Sequence, residues 1–336
     1  MSSIERQSTQ FLFDEAFLRK LERLSVMSRR TMSGQLQGER RSTKRGQSVE
    51  FADFRPYSPG DDFRRIDWNA YARLEKFFLK LFVEEEDLTV HILVDASRSM
   101  DWGQPNKLEY TLRAAGALGY IALAGLDRVT VTVLGRGEGG KGRRGERESG
   151  GIDYFAPHRG KQSANALFTF LENLRNLEFI NEKSSNLQSP ISNQLRSYAA
   201  RAQSPGPLIL ISDLFEPPTT NLPITNLPIT NLPIYQSLNT LASKGFEVTL
   251  LHTLSPDEVD PDLTGDLKLL DCETHAEIEI TADYDLLQRY RTGLSEWQAE
   301  FRHFCGARGM HYVPVETSVP LDELLFAWMR RYSVIK

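Results

Sequence analysis

Asp95, Ser97 and Ser99 stand at alternate positions in DASRSM, directly after the apolar run Leu88 to Val94. Three oxygen side chains on one short loop make half a cage for a hard divalent cation. Mg²⁺ (or Mn²⁺) takes about six oxygens at roughly 2.0 to 2.1 Å and keeps some of its water, so one carboxylate and two hydroxyls suit it if carboxylates from elsewhere join them. Asp213 follows Leu208–Ile211 and Ser212 in the same manner, an acid at the exit of a second apolar run. Ser163, at a helix start between the two runs, supplies a further hydroxyl. The competing reading is that the loop side chains only cap the segment that follows. Repetition of the pattern at Asp213 favours a metal site made of Asp95, Ser97, Ser99, Ser163 and Asp213.

These side chains need elements to hold them. Leu88, Val90, Ile92 and Val94 alternate with Thr89, His91 and Leu93, a β-branched run apolar on both faces, as in a strand inside a parallel sheet. Its carboxyl end is where an open α/β sheet binds ligands. Helices are expected over 108–126, through Leu167, Phe170, Leu171 and Leu174, and over 238–244, 284–307 and 321–329, and strands over 129–134, 208–211, 246–254 and 312–315. Residues 267–271 and 277–281 read as a hairpin across Glu273, Thr274 and His275. This alternation predicts an α/β fold with a doubly wound, mainly parallel sheet. His91, inside the first strand, reads as a core or face residue rather than a general base.

The chain has 336 residues and a formal charge of -5, so it can bury a real core and has no overall nucleic-acid footprint. Cys272 and Cys305 fit no metal spacing and suggest a reducing compartment. MSSIERQST carries no signal-peptide pattern, and the longest apolar stretch, Ala114 to Leu126, has 13 residues against the ~20 needed to span a bilayer. A cytoplasmic protein without membrane insertion is expected.

Phe13, Phe17, Leu21 and Leu24 are spaced for an amphipathic helix within Phe11 to Arg30. The basic stretch Arg19 to Arg45 lacks aromatic stacking groups and reads as solvated surface. In EFADFRPYSPGDDFRRIDWNAYAR, Asp61, Asp62 and Asp67 interleave with Arg55, Arg64, Arg65 and Arg73, as in a self-neutralising network around aromatic anchors. Gly135, Gly140 and Lys141 have P-loop spacing, but Gly142 replaces the Ser or Thr and no helix follows, which discounts ATP binding there. The TNLPI pentad, three times in tandem, is a proline-broken insertion. The expected organisation is 1–87, an N-terminal helix and an Asp/Arg/aromatic-rich arm packing on the main domain, and 88–336, the main domain with insertions near 135–151, 176–206 and 219–234.

DASRSM, a remote hydroxyl and a strand-end aspartate together resemble the metal-ion-dependent adhesion site of von Willebrand factor type A domains. EFADFRPYSPGDDFRRIDW is similar to the signature of the bacterial domain-of-unknown-function-58 family, whose members resemble those domains and are typically encoded beside MoxR-type AAA ATPases. The resemblance spans roughly residues 34 to 332. It implies a von Willebrand factor A-like (Rossmann-like) sheet and a metal held by Asp95, Ser97, Ser99 and Asp213. The remote hydroxyl would fall to Ser163, although Arg159-Gly160-Lys161-Gln162-Ser163 departs from the usual glycine pair and threonine. The implied role is a protein-interaction module rather than an enzyme, an adaptor offering an open metal position to an acidic side chain of a client and working with a MoxR-type AAA ATPase. Two alternatives stay open. One is a metal-dependent phosphohydrolase using Asp95, although Ala96 and Ser97 stand where a second aspartate would. The other is a metal-free scaffold.

Overall fold

The computed structural model describes residues 12–28, 49–58, 61, 63, 66–84, 88–135, 154–176, 190–202, 204–216, 233–272 and 277–336. The chain divides into two compact units, Met1–Arg29 with Leu88–Lys336, and Arg30–Asp87. The N-terminal helix belongs to the larger unit, with Leu88–Lys336.

The reason lies in its packing. Helix α1 (Glu15–Leu21) is capped by Asp14, whose Oδ1 accepts the Phe17 N–H at 2.6 Å. The spacing predicts helix over a longer span, yet beyond Leu21 the chain extends and Val26 forms an antiparallel bridge with Ile335. Phe13, Leu21 and Leu24 are nonetheless all buried in the core that contains the main-sheet residues Val90 and Ile92. The apolar spacing marks a buried segment, and pairing with the C-terminus overrides the helical continuation.

In the smaller unit, β1 (Val49–Pro56), α2 (Trp68–Leu74) and β2 (Phe78–Glu84) form a hairpin with an inserted helix, the two strands antiparallel. Arg55 pairs with Asp61 at 2.8 Å, part of the expected Asp/Arg network. Asp67 caps α2, accepting from Asn69 N at 2.9 Å. Tyr71 and Phe77 stack with centroids 4.5 Å apart.

The larger unit is built on β3 (Thr89–Asp95), buried at every one of its positions. It continues through α3 (Lys107–Ala124), β4 (Arg128–Leu134), β5 (Tyr154–Arg159), α4 (Ala164–Asn176), α5 (Ile191–Arg201) and β6 (Pro207–Ser212). Then come α6 (Pro233–Ser243), β7 (Glu247–Leu254), the short α7 (Pro256–Val259), the hairpin β8 (Gly265–Leu270) and β9 (Glu277–Ala282), α8 (Tyr284–Ala307), β10 (His311–Glu316) and α9 (Leu321–Glu323). A π-helical turn, Leu324–Met329, completes the expected final helix. Helix α5 lies where the sequence shows only weak periodicity, and Ile191, Leu195, Tyr198 and Ala199 form its buried stripe.

The sheet order is β10-β7-β6-β3-β4-β5, parallel except for β5, which runs antiparallel to β4. Side chains alternate between its faces. Val90, Ile92 and Val94 meet α3 and α4 in one core, while Leu93, Leu208 and Leu210 meet α5, α6 and α8 in another. Helices thus cover both faces, as the alternation predicts. The chain leaves β3 toward one edge, returns beside it as β6, and leaves toward the other edge. The exits of β3 and β6 flank that reversal.

Several expectations fall on residues outside those described: Asp62, Arg64 and Arg65, most of the basic stretch, the glycine-rich segment with Lys141, the TNLPI repeats up to Leu232, and Glu273 to His275.

Candidate metal centre

Asp95 ends β3 and is completely buried. Its Oδ1 accepts the Ser97 N–H at 2.9 Å, and its Oδ2 accepts the Ser212 hydroxyl at 2.6 Å. Register explains the second contact, because Val94 lies opposite Ile211 in the parallel β3–β6 pair, which brings Ser212 beside Asp95. The chain then turns into a 3-10 segment, Arg98–Met100, and the Ser97 and Ser99 hydroxyls lie 3.0 Å apart.

Gly135, leaving β4, closes this pocket from the side. Its φ is +80°, and a Cβ there would stand 2.6 Å from Ser97 N and 2.8 Å from Asp95 Oδ1. Only glycine adopts that backbone and permits that approach. The Gly135 N–H donates to Gln194 Oε1 at 3.1 Å, which ties the first turn of α5 to the loop. In the same turn Ser192 is buried and donates its N–H to Glu216 Oε1 at 2.5 Å, while its hydroxyl has no hydrogen-bond partner among the described residues.

Asp213, one residue beyond β6, is also completely buried. Its Oδ2 lies 2.9 Å from Lys107 Nζ, and its Oδ1 accepts the Phe215 N–H at 3.2 Å. Lys107 reaches on to Glu258 Oε1 at 2.6 Å. Glu258 belongs to the capping box of α7, where its Oε2 accepts the Ser255 N–H at 2.8 Å. His252 supports Asp213 from β7. A carbonyl can only accept, so His252 Nε2 donates to Asp213 O at 3.0 Å and Nδ1 accepts from Tyr312 at 2.6 Å.

Charge follows from these contacts. Burial, and then the nearby charge of Asp213, raise the Asp95 carboxyl to about 7, opposed by the hydrogen bonds from Ser212 and Ser97. Burial would push the Lys107 ammonium down, but Asp213 and Glu258 outweigh it and hold its pKa above the ordinary lysine value. Burial keeps His252 neutral, its pKa lowered to about 4.

Four of the five sequence candidates therefore converge: Asp95, Ser97 and Ser99 on one strand exit, and Asp213 on the neighbouring one. Ser163 does not. It follows β5, whose Arg159 lies opposite Arg128 at the start of β4, whereas Asp95 lies opposite Leu134 at its end. Six residue steps along a strand are roughly 20 Å. Because β5 runs antiparallel, its exit is at the other end of the sheet, where the Ser163 hydroxyl donates to Arg159 O at 3.1 Å. Sequence reasoning also missed the roles of Lys107, Ser212, Glu258 and Gly135. Lys107 had a usable signal, since a cation in the first turn of a helix opposes the helix dipole and calls for a specific anionic partner.

Among the described residues no three His, Cys, Asp or Glu side chains group as a metal site. The oxygen set here mixes carboxylate with hydroxyls, which suits hard cations better than zinc.

Residues 53–300 match the family described as protein of unknown function DUF58. The chain belongs to the DUF58 family. The chain is 22% identical over 293 residues to the uncharacterized protein Rv1480 of Mycobacterium tuberculosis, an alignment covering 85% of this chain and 81% of that protein. Among solved structures, this DUF58 chain aligns with the conserved hypothetical protein BatB from Bacteroides thetaiotaomicron at 16% identity and a TM-score of 0.33, covering 68% of this chain and 90% of that one. It aligns with an aerotolerance-related membrane protein from Bacteroides fragilis at 14% identity and a TM-score of 0.37, covering 73% and 98%. No helix among the described residues of the DUF58 chain is long and apolar enough to cross a membrane.

Proposed function

We propose that this DUF58 chain is a divalent-metal-dependent protein-interaction module that holds Mg²⁺ (or Mn²⁺) at Asp95, Ser97 and Ser99 and offers an open position to an acidic side chain of a client. The observation that carries this reading is the state of Asp95. It is completely buried, it bears the charge of Asp213 nearby, and no cation lies within ion-pair distance of it among the described residues. With the Asp95 carboxyl ionised, Asp95, Asp213 and Glu258 against Lys107 leave two negative charges, the charge of one divalent ion. The hydroxyl spacing of 3.0 Å also fits, since adjacent ligands of an octahedral Mg²⁺ are about 2.9 Å apart. When bound, the ion would act as a Lewis acid toward a partner's carboxylate. The chain's part is to hold Ser97 and Ser99 through the Asp95–Ser97 N–H bond and to shield the centre with Gly135.

The sheet order, with the first strand central and an antiparallel edge, supports a von Willebrand factor A-like arrangement. The family resemblance supports a partner among MoxR-type AAA ATPases and a role in assembly or activation of other proteins. Both Asp95 oxygens are engaged and buried, which disfavours a nucleophilic role in phosphoester hydrolysis.

Calorimetric titration of the full chain with Mg²⁺ is expected to show one site, weakened at least tenfold by Asp95→Ala. Partner capture from native extract should be lost in EDTA. No heat together with chelator-insensitive capture would leave the scaffold alternative, whereas Mg²⁺-dependent phosphoester turnover abolished by Asp95→Asn would favour the hydrolase.

A further inference from the structure

Lys107 has an unusual position. It opens α3, where the dipole disfavours a cation, and its side chain is wholly buried. Its ammonium bridges Asp213 from β6 at 2.9 Å and Glu258 from α7 at 2.6 Å, with the Phe215 ring centroid 6.0 Å away. The loops that follow β3, β6 and β7 thus meet on one nitrogen. Asp213 differs from Asp95 in its partners: one oxygen faces the ammonium, whose charge opposes a second cation on that carboxylate, and the other accepts the Phe215 N–H.

We propose that Lys107 is a resident cation of this centre: it occupies the ligand position of Asp213, withdraws that carboxylate from metal coordination, and lets the three loops close without a divalent ion. The inference rests on the reading of Asp95, Ser97 and Ser99 as the external cation site. An incoming divalent ion then meets one carboxylate, Asp95, rather than two. It is held loosely until a partner's acid completes its shell, so that metal and partner bind cooperatively. Without the ammonium, the buried Asp213 and the part-exposed Glu258 would lose their shared cation, and a divalent ion would be recruited by Asp213 as well.

The test compares wild type, Lys107→Met and the double variant Lys107→Met/Asp213→Asn by circular-dichroism melting in EDTA and in Mn²⁺, with Mn²⁺ affinity measured by calorimetry. Lys107→Met should melt below wild type in EDTA, rise further than wild type on adding Mn²⁺, and bind Mn²⁺ at least tenfold more tightly. The double variant should lose both gains, and Lys107→Arg should behave as wild type. A Mn²⁺ response in Lys107→Met no larger than that of wild type overturns the proposal. If Lys107→Met does not fold in EDTA, recovery from urea in Mn²⁺ alone supports the proposal. Failure to recover in Mn²⁺ overturns it, whether or not the double variant folds. Wild-type calorimetry is read separately: absence of Mn²⁺ binding there removes the proposed function, while the Lys107→Met comparison still decides the role of Lys107.

Discussion

Asp95 and Lys107 are both fully buried, and the difference between them is what each meets. Lys107 finds two carboxylates, so removing its charge strands them, and loss of one partner from a buried ion pair costs about 3–5 kcal/mol. Asp95 finds only hydroxyl and amide donors, which soften its burial without cancelling its charge. His91 shows the opposite use of burial. Its Nε2 donates to Ser204 O at 2.8 Å and its Nδ1 accepts from the Tyr198 hydroxyl at 2.6 Å, so the neutral ring is the one that fits. Burial lowers its pKa to about 4 from 6.5, with the Ser204 contact opposing. The folded state therefore binds the proton less readily than the unfolded state. The stability His91 contributes is present above about 6.5 and is lost as pH falls through 4, about 3 kcal/mol in all. Urea unfolding at pH 7.5 and 4.5 should show that loss, and His91→Gln, which can keep both hydrogen bonds without titrating, should reduce it.

The elements around the site fit because two glycines leave room for them. Gly103, in the loop after β3, has φ +82°, and a Cβ there would lie 2.2 Å from Ser255 Cβ. Ser255 caps α7 and shares the box with Glu258, the second partner of Lys107. Gly103→Ala is expected to destabilise the fold by about 1–3 kcal/mol, through strain and overpacking. Denaturant melts would read this, and an unchanged midpoint would show that α7 moves freely. Under the proposed metal reading, Gly135→Ala should displace Ser97 and weaken Mg²⁺ binding several-fold by calorimetry while leaving the sheet intact. The strands were the legible elements. Each buried run of β-branched residues became a strand, because apolar content on both faces has few other uses in a chain with helices alternating between them. Helix α1 was less legible: its apolar spacing continues past Leu21, but backbone pairing of Ser25 and Met27 with the C-terminal residues takes over.

At the scale of the whole molecule, the chain leaves its main unit after Arg29 and re-enters at Leu88. The described residues of both cores all belong to the larger unit. A chain in which residues 30–87 are replaced by a long Gly/Ser linker should keep a cooperative melt and the proposed Mg²⁺ binding. Loss of both would show that the smaller unit is required for the larger one to fold. The family match spans both units, so partner capture, rather than metal binding, is the property expected to depend on residues 30–87.

Local pattern in the sequence was enough to establish the class of fold, the strands that end at Asp95 and Ser212, and the placement of Asp95, Ser97, Ser99 and Asp213 beyond strand exits, since alternation and strand-end polarity are short-range properties. Ser163 could be excluded only by the tertiary structure, because the direction of an edge strand depends on pairing with a distant segment. The same holds for Lys107. Its bonds to Asp213 and Glu258 span 106 and 151 residues, and no local spacing encodes a contact made by three loops that meet only when the sheet has formed.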